Sequence, residues 1–506
     1  MAQRAFSIIA GLALALLTLG PIAAVLVRAE GLGSFRPGDF EALQFTVWQA
    51  ALSGVFSTIL AVPVARALAR RQFVGRGLLV SLLGAPFILP VIVAVMGLIA
   101  VFGQNGLLNT ALAFLGGPRL DIYGLHGVVL AHVFFNLPLA TRMLLQAWLS
   151  IPSERFRLSA SLGLSPWGQF VTLEWPLIKR IAPGAFAIIF VICLTSFAVA
   201  LTLGGGPRAT TVELAIYQSM RFDFDLGRAA MLALMQLGLA VIAGVIALRL
   251  APAQSFGVGR GRSVPRWDGQ SVFSRLWDSA WIFAAAAFLL IPLALVVLKG
   301  LPGLLDGAGQ GTLIAAKHSI LVALTSTALS MAWALPLANR KGELLSVAAI
   351  AMSPLVIGTG LFLILRPFVN PFSMALPVTT LVNAMMALPF ALRILRPEAE
   401  AVHQDFGRLR ATLRMTPWAW FRLVWMPRLK RPLGFAAGLT AALAMGDLGV
   451  IALFADPDRA TLPLQVYRLM GAYQMEAAAG AALLLLILSF GLFWLFDRGG
   501  RVGADT

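Results

Sequence analysis

The run AAMLALMQLGLAVIAGVIALRL, from Ala229 to Leu250, decides the class of this chain. It carries one amide, Gln236, and one charge, Arg249, close to its end. A helix apolar on every face is either the core of a large protein or a membrane span. About 20 such residues, rising 1.5 Å each, cross the hydrocarbon of a bilayer. Ala5 to Val27 has the same character. Arg4 precedes it as in a signal peptide, but the run exceeds the usual signal core of roughly 7–15 residues, so it reads as the first membrane helix.

Around these runs the composition is consistent. Of 506 residues, 59% are hydrophobic and only 12% are charged, too few charges to cover a soluble protein of this size. The expectation is an all-α, polytopic membrane protein of twelve spans. Six fall roughly at 5–27, 45–68, 78–102, 122–149, 181–205 and 229–251. Six more fall roughly at 277–299, 312–338, 344–369, 374–397, 432–455 and 476–497. The polar stretch Pro252 to Arg275 reads as a cytoplasmic linker between repeats at 1–251 and 276–506.

The net charge of +17 would suggest nucleic acid in a soluble chain. Here the basic residues sit in short loops between spans, which points to topology. Arg66, Arg70, Arg71 and Arg76 follow the second span, and Arg155, Arg157, Lys179 and Arg180 follow the fourth. Arg260, Arg262, Arg266 and Arg275 occupy the linker. Arg340 and Lys341 follow the eighth span, and Arg408, Arg410, Arg414, Arg422, Arg428, Lys430 and Arg431 follow the tenth. All these loops share one side, so both termini are expected in the cytoplasm.

An internal repeat runs through the chain at a constant offset of 251 positions. Asn136-Leu137-Pro138 and Arg142 match Ala387-Leu388-Pro389 and Arg393. Pro166-Trp167 matches Pro417-Trp418, Pro176 matches Pro427, and Lys179-Arg180 matches Lys430-Arg431. Arg208-Ala209-Thr210 matches Arg459-Ala460-Thr461. With an even number of spans in each, the two repeats point the same way and are related by a pseudo-two-fold axis along the membrane normal.

No catalytic signature is present. None of the five lysines follows a glycine, so there is no phosphate-binding loop of the G-x-x-x-x-G-K type. The four histidines make no H-E-x-x-H pair, and no serine sits in G-x-S-x-G. The expectation is no catalytic residue and no metal or cofactor in this chain. Cys193 is alone, inside an apolar run, and offers no disulfide framework.

The two long basic loops, 153–180 and 398–431, carry the informative pattern. In the first, Ile151-Pro152-Ser153 leads into a polar helical stretch ending near Gly163. Ser165 then caps, and Pro166 opens, a second short helix expected to stop by Pro176. In the second, Thr416 and Pro417 repeat the cap and the opening. Two basic amphipathic helices resting on lipid headgroups would fit the composition. The pair, six spans apart, also resembles the ATPase-docking loops of ABC importer permeases, whose motif opens Glu-Ala-Ala, then Gly, and closes Ile-x-Leu-Pro. Gly163 to Pro176 keeps the Gly-to-Pro spacing, with Leu173 at the isoleucine position and Arg157-Leu158-Ser159 in place of Glu-Ala-Ala. The second loop has Arg408-Leu409-Arg410, then Arg414 in place of the glycine, then Val424 and Pro427. Arginine in a left-handed turn costs about 1 kcal/mol or more relative to glycine. The second loop therefore either turns differently or lacks the glycine's role.

Three further segments narrow the resemblance. Leu130 to Pro138 (LAHVFFNLP) resembles the fourth span, and Leu203 to Gln218 (LGGGPRATTVELAIYQ) the outer loop after the fifth span, of thiamine and thiamine diphosphate importer permeases. Gly446 to Phe454 (GDLGVIALF) resembles the equivalent in that family's second half. The resemblance implies the type I ABC importer fold and a bacterial inner-membrane location. It also implies a periplasmic thiamine-binding protein and two copies of a separate ATPase subunit that binds ATP and Mg. Ferric-iron permeases share the fused plan and a looser form of the last segment. An ion-gradient-driven transporter is the rival of another class; it calls for intramembrane coupling acids and no paired docking loops.

Four residues are candidates for the solute path or its gate. Asp447 is the only acid well inside an expected span, flanked by Gly446 and Gly449; its partner in the first repeat is Ser196. The preferred reading is a structural or gating carboxylate, ahead of a contact to the cationic ring of the solute. His132 and Asn136 lie at i and i+4 on one helix face and read as an interhelical hydrogen-bonding pair. Gln236 reads as interhelical glue.

Overall fold

The computed structural model describes residues 2–29, 36–84, 88–206, 209–250, 269–306, 309–338, 353–454 and 456–501. Every regular element among them is helical. Eleven helices are long and apolar enough to cross a membrane. The expected linker lies largely outside the described residues. Its last four positions belong instead to a helix, because the Ser271 hydroxyl accepts from Ser274 N–H and caps it.

In the first repeat the helices are α1 (Ala2–Arg28), α2 (Pro37–Arg70), α3 (Arg76–Leu82), α4 (Val91–Phe102), α5 (Leu107–Phe114) and α6 (Leu125–Leu149). Then come α7 (Ser153–Ser161), α8 (Pro166–Gln169), α9 (Trp175–Leu194), α10 (Ala198–Leu203), α11 (Val212–Arg221) and α12 (Leu226–Leu250). The second repeat has α13 (Val272–Leu305), α14 (Gln310–Leu337), α15 (Pro354–Leu365), α16 (Ala375–Thr412) and α17 (Pro417–Trp420). It ends with α18 (Met426–Met445), α19 (Gly449–Leu453), α20 (Leu462–Gly471) and α21 (Met475–Arg501).

Four expected spans differ in form. The third is interrupted: α3 stops at Leu82 and α4 starts only after Pro90. The ninth is described from Pro354 onward, as the 12-residue α15. The fifth and eleventh are each broken past their midpoints, at Thr195–Phe197 and Gly446–Leu448.

Each repeat is held by a polar stripe on its second span. Thr46, Gln49, Ser53 and Ser57 share one face of α2 and are fully buried. Thr46 Oγ1 accepts from Val212 N–H, Gln49 donates to the Cys193 carbonyl, and Ser53 Oγ lies 3.2 Å from His132 Nδ1. One stripe thus stitches α2 to α11, α9 and α6. Ser319, Ser326 and Ser330 repeat the spacing of Thr46, Ser53 and Ser57 on α14, and Ser319 Oγ accepts from Leu462 N–H. In hydrocarbon such bonds hold helices together where the hydrophobic effect cannot.

The repeats join through their first helices. α1 packs on α15 of the second repeat, and α13 packs on α4 of the first. Glycines permit both approaches. A methyl group at Gly97 would lie 2.7 Å from the Pro292 carbonyl oxygen, and Gly360 abuts Pro21 in the same way. Near the basic loops the junction is ionic. Asp278 of α13 is buried and takes Arg71 at 2.6 Å and Arg70 at 3.7 Å.

Candidate functional site: the central cavity and the paired loops

Both breaks in the spans open onto one cavity of about 380 Å³ between the repeats. That volume is within the range of small-molecule sites. The four residues expected on the path, His132, Asn136, Ser196 and Asp447, all line it. Their partners at the 251-residue offset line it too: Asn383 answers His132, and Ala387 answers Asn136. The cavity therefore sits on the pseudo-two-fold axis. Phe135, Phe197 and Phe390 add aromatic wall.

The axis relates positions but not chemistry. In the first repeat His132 Nε2 lies 2.8 Å from Ser196 Oγ, so the two polar groups are spent on each other. In the second repeat Asn383 donates to the Ala444 carbonyl and leaves Asp447 alone. Asp447 Oδ1 accepts from Gly449 N–H at 3.2 Å, while Oδ2 has no hydrogen-bond partner among the described residues. Asp447 is the one charged side chain in the described lining. The carboxylate faces the N–H groups of Gly449, Val450 and Ile451 at the start of α19, and the apolar, aromatic-walled chamber beside it suits a cation.

His132 and Asn136 do share a face, but they do not bond side chain to side chain. Asn136 Nδ2 donates to the His132 carbonyl and reaches Cys193 Sγ of α9 at 3.5 Å. His132 reaches Ser53 of α2 and Ser196 instead. Gln236 donates to the Leu194 carbonyl, joining α12 to α9. Four buried acids escaped the sequence reading, Asp39, Glu174, Glu213 and Asp278, of which Glu213 alone has no ion pair among the described residues. Glu213 of α11 is fully buried, beside Gln236 and the α15 cap residue Ser353. It lies in a loop by hydropathy, and only the amphipathic pattern of 212–221 hints that it folds inward.

The two basic loops have closely matched local structure. Ser165 Oγ accepts from Gly168 N–H and Thr416 Oγ1 from Ala419 N–H, each with proline in the first helical position. The second helix does not stop at Pro176, as expected. A π-helical turn, Phe170–Glu174 or Phe421–Trp425, carries it directly into α9 or α18. Trp175 N–H reaches back to the Phe170 carbonyl, and Met426 N–H to the Phe421 carbonyl. The widened turn accommodates Pro176 and Pro427, which have no N–H to donate and stand in the first helical turn.

The first helices of the loops differ. α6 ends at Leu149 and α7 starts afresh at Ser153. α16 instead runs unbroken for 38 residues to Thr412, so the second loop has no separate first helix. The position answering Pro152 is His403, which keeps its N–H and continues the helix. The extension is clamped by rings: His403 packs on Trp420, and the Arg410 guanidinium lies 5.4 Å from the same ring. In the first loop the residues answering Arg410 and Trp420 are Ser159 and Gln169, joined by a hydrogen bond of 3.2 Å.

Both loops present an apolar triad to the outside. Leu158, Leu162 and Trp167 are exposed in the first, and Leu409, Leu413 and Trp418 in the second, each pair at the 251-residue offset. Trp167 and Trp418 are 71% and 67% exposed, each stacked on a phenylalanine beneath, Phe170 or Phe421. Arg157, Gly163, Pro166, Pro176, Arg408, Arg414, Pro417 and Pro427 are likewise exposed. Ser159 is buried, and Leu173, Arg410 and Val424 are half-buried. The leucine triad was legible in the repeat offset but was not drawn from it. Among the described residues no three His, Cys, Asp or Glu side chains converge as a metal site.

Eleven membrane-length helices, a chamber lined from both halves of the chain and a matched pair of basic loops fit a membrane permease. No protein-family model matches the sequence. It is 37% identical over 511 residues to the thiamine transport system permease protein ThiP of Brucella abortus, covering 96% of this chain and 94% of that one. It is 38% identical over 486 residues to the same protein of Escherichia coli K12, covering 92% and 90%. A shorter match, 30% over 177 residues, joins 32% of the chain to 59% of the sulfate transport system permease protein CysW of Synechococcus elongatus. The chain belongs to the family of thiamine transport system permease proteins, within the ABC importer permeases.

Proposed function

We propose that this chain is the membrane subunit through which an ATP-driven importer moves thiamine or its phosphate esters into a bacterial cell. A periplasmic binding protein delivers the solute to the outer side. Two copies of a separate ATPase subunit, which hold the ATP and Mg, dock on the loops at 153–180 and 398–431. The chain lies in the inner membrane with both termini in the cytoplasm, as the basic loops favour.

The observation that supports this best is the cavity between the repeats, lined by His132, Asn136, Ser196 and Asp447 and walled by aromatic rings. Thiamine carries a permanent thiazolium cation, and an unpaired charge does not cross hydrocarbon unaided. The cavity offers that cation a counter-charge and aromatic faces. The backbone breaks beside it, at Thr195–Phe197 and Gly446–Leu448, are where a gate could bend. The test is growth of a thiamine-requiring strain on low external thiamine. Deleting this chain should abolish growth and uptake. Unchanged thiamine uptake with lost iron uptake would replace this reading with a ferric-iron permease.

A further inference from the structure

Two charged residues stand beyond the chamber, nearer the basic loops, on helices that line it. Along α6, from Gly127 to Trp148, every residue is buried or half-buried except Arg142. Along α16, from Val378 to Arg396, the one exposed residue is Arg393. The two arginines answer each other at the 251-residue offset. Each stands seven positions beyond a cavity-lining residue, Phe135 or Met386. Seven residues is nearly two full turns, so each arginine shares that residue's helix face, about 10 Å closer to the loops. A guanidinium that is alone in its exposure on a packed span looks into water inside the protein rather than into lipid. The chain makes room for one of them: the Arg142 guanidinium lies directly against Gly84, where any side chain would collide with it. Neither arginine forms an ion pair among the described residues.

We propose that Arg142 and Arg393 are specificity residues that receive the phosphate arm of thiamine's phosphate esters, while Asp447 holds the cationic ring. This rests on the thiamine reading above. The passage then presents a negative charge at the chamber and two positive charges toward the cytoplasm. A thiamine phosphate ester has the complementary order, a cationic thiazolium with an anionic arm. Guanidinium suits this task because its planar fork makes paired hydrogen bonds to phosphate oxygens. Two arginines from opposite walls suit a ligand that moves along the axis between them.

The test uses the complete importer, permease with ATPase and binding protein, in proteoliposomes. Uptake of labelled thiamine and thiamine diphosphate is measured for the wild type, the Arg142→Gln/Arg393→Gln pair and the Arg142→Lys/Arg393→Lys pair. The ratio of diphosphate to thiamine uptake should fall about tenfold or more in the glutamine pair, the scale of losing a charged hydrogen bond. The lysine pair, which keeps the charge, should lie between. An unchanged ratio in the glutamine pair overturns the proposal. So does a ratio that falls only in vesicles containing anionic lipid, which would make a headgroup the anion bound. Wild type that carries thiamine but no diphosphate overturns it while leaving the functional reading intact. Wild type that carries neither overturns both.

Discussion

Gly163 and Arg414 occupy the same left-handed turn, at φ of 64° and 45°. In each loop the next residue's N–H closes the helix end, Leu164 onto the Ser159 carbonyl and Met415 onto the Arg410 carbonyl. The second loop therefore turns as the first does, and its arginine bears the backbone cost that glycine avoids. Arg414→Gly should stabilise the protein by about 1 kcal/mol, read as a higher unfolding temperature in detergent. Gly163→Val should move the other way and reduce ATPase co-purification. No shift for Arg414→Gly would show that its side chain contributes as much as the turn costs.

The geometry of that turn was only partly legible in the sequence. The cap residues Ser165 and Thr416 were readable because cap chemistry is local. Whether Arg414 would tolerate positive φ was not, since tertiary context decides it. The same division holds elsewhere. The runs Ala229–Leu250 and Ala5–Val27 announce spans, but nothing in the hydropathy of the second says that α1 packs on α15 of the opposite repeat. The convergence of His132, Ser196 and Asp447 was implicit in the 251-residue offset once two repeats face each other. The breaks beside them were not, because a few polar residues such as Thr195, Ser196 and Asp447 are equally compatible with a continuous membrane helix.

The uneven first helices of the loops lead to a second prediction. His403→Pro would place in α16 the residue that separates α6 from α7, removing a backbone hydrogen bond at a cost of about 3 kcal/mol. It would also free Trp420 from its ring partner. Solute-stimulated ATP hydrolysis by the assembled importer should fall well below wild type. Full stimulation would mean that the rigid extension of α16 does not carry force.

Contact through the first helices makes a third. Gly97→Val and Gly360→Val each drive a side chain into a backbone carbonyl of the other repeat, Pro292 or Pro21. A carbonyl in a packed helix cannot swing aside, so the helices must separate, at a cost of about 1–3 kcal/mol. Repeats expressed as separate chains, 1–251 and 252–506, should co-purify when unaltered and much less with either valine. Equal recovery would place the bond between repeats elsewhere, in the Arg71–Asp278 pair first.

Asp447→Asn tests the chamber. The amide keeps the size and the bond to Gly449 N–H but removes the charge. Thiamine uptake should fall about tenfold or more if Oδ2 faces a cation. Ser196→Ala, at the symmetric position, should cost less, because Ser196 is already paired with His132. Equal losses would make the pair a structural element of the breaks rather than a solute contact.

The exposed triads carry the last prediction. An exposed tryptophan costs little in water when it is single, but two at equivalent positions, each with two exposed leucines, form matched apolar patches on one side of the molecule. Stacking on Phe170 or Phe421 fixes each indole in advance, so little side-chain freedom is lost on binding. Aromatic anchors of this kind dominate interface energies at about 2 kcal/mol or more each. Trp167→Ala or Trp418→Ala should therefore lower ATPase-subunit affinity by about 30-fold. The double variant should abolish co-purification while the chain still inserts and still retains both first-helix contacts. Two identical ATPase copies meeting two equivalent patches should give nearly equal single losses. A large loss at Trp418 with none at Trp167 would show that only the rigid second loop anchors the motor, and no loss at either would remove the triads from the interface.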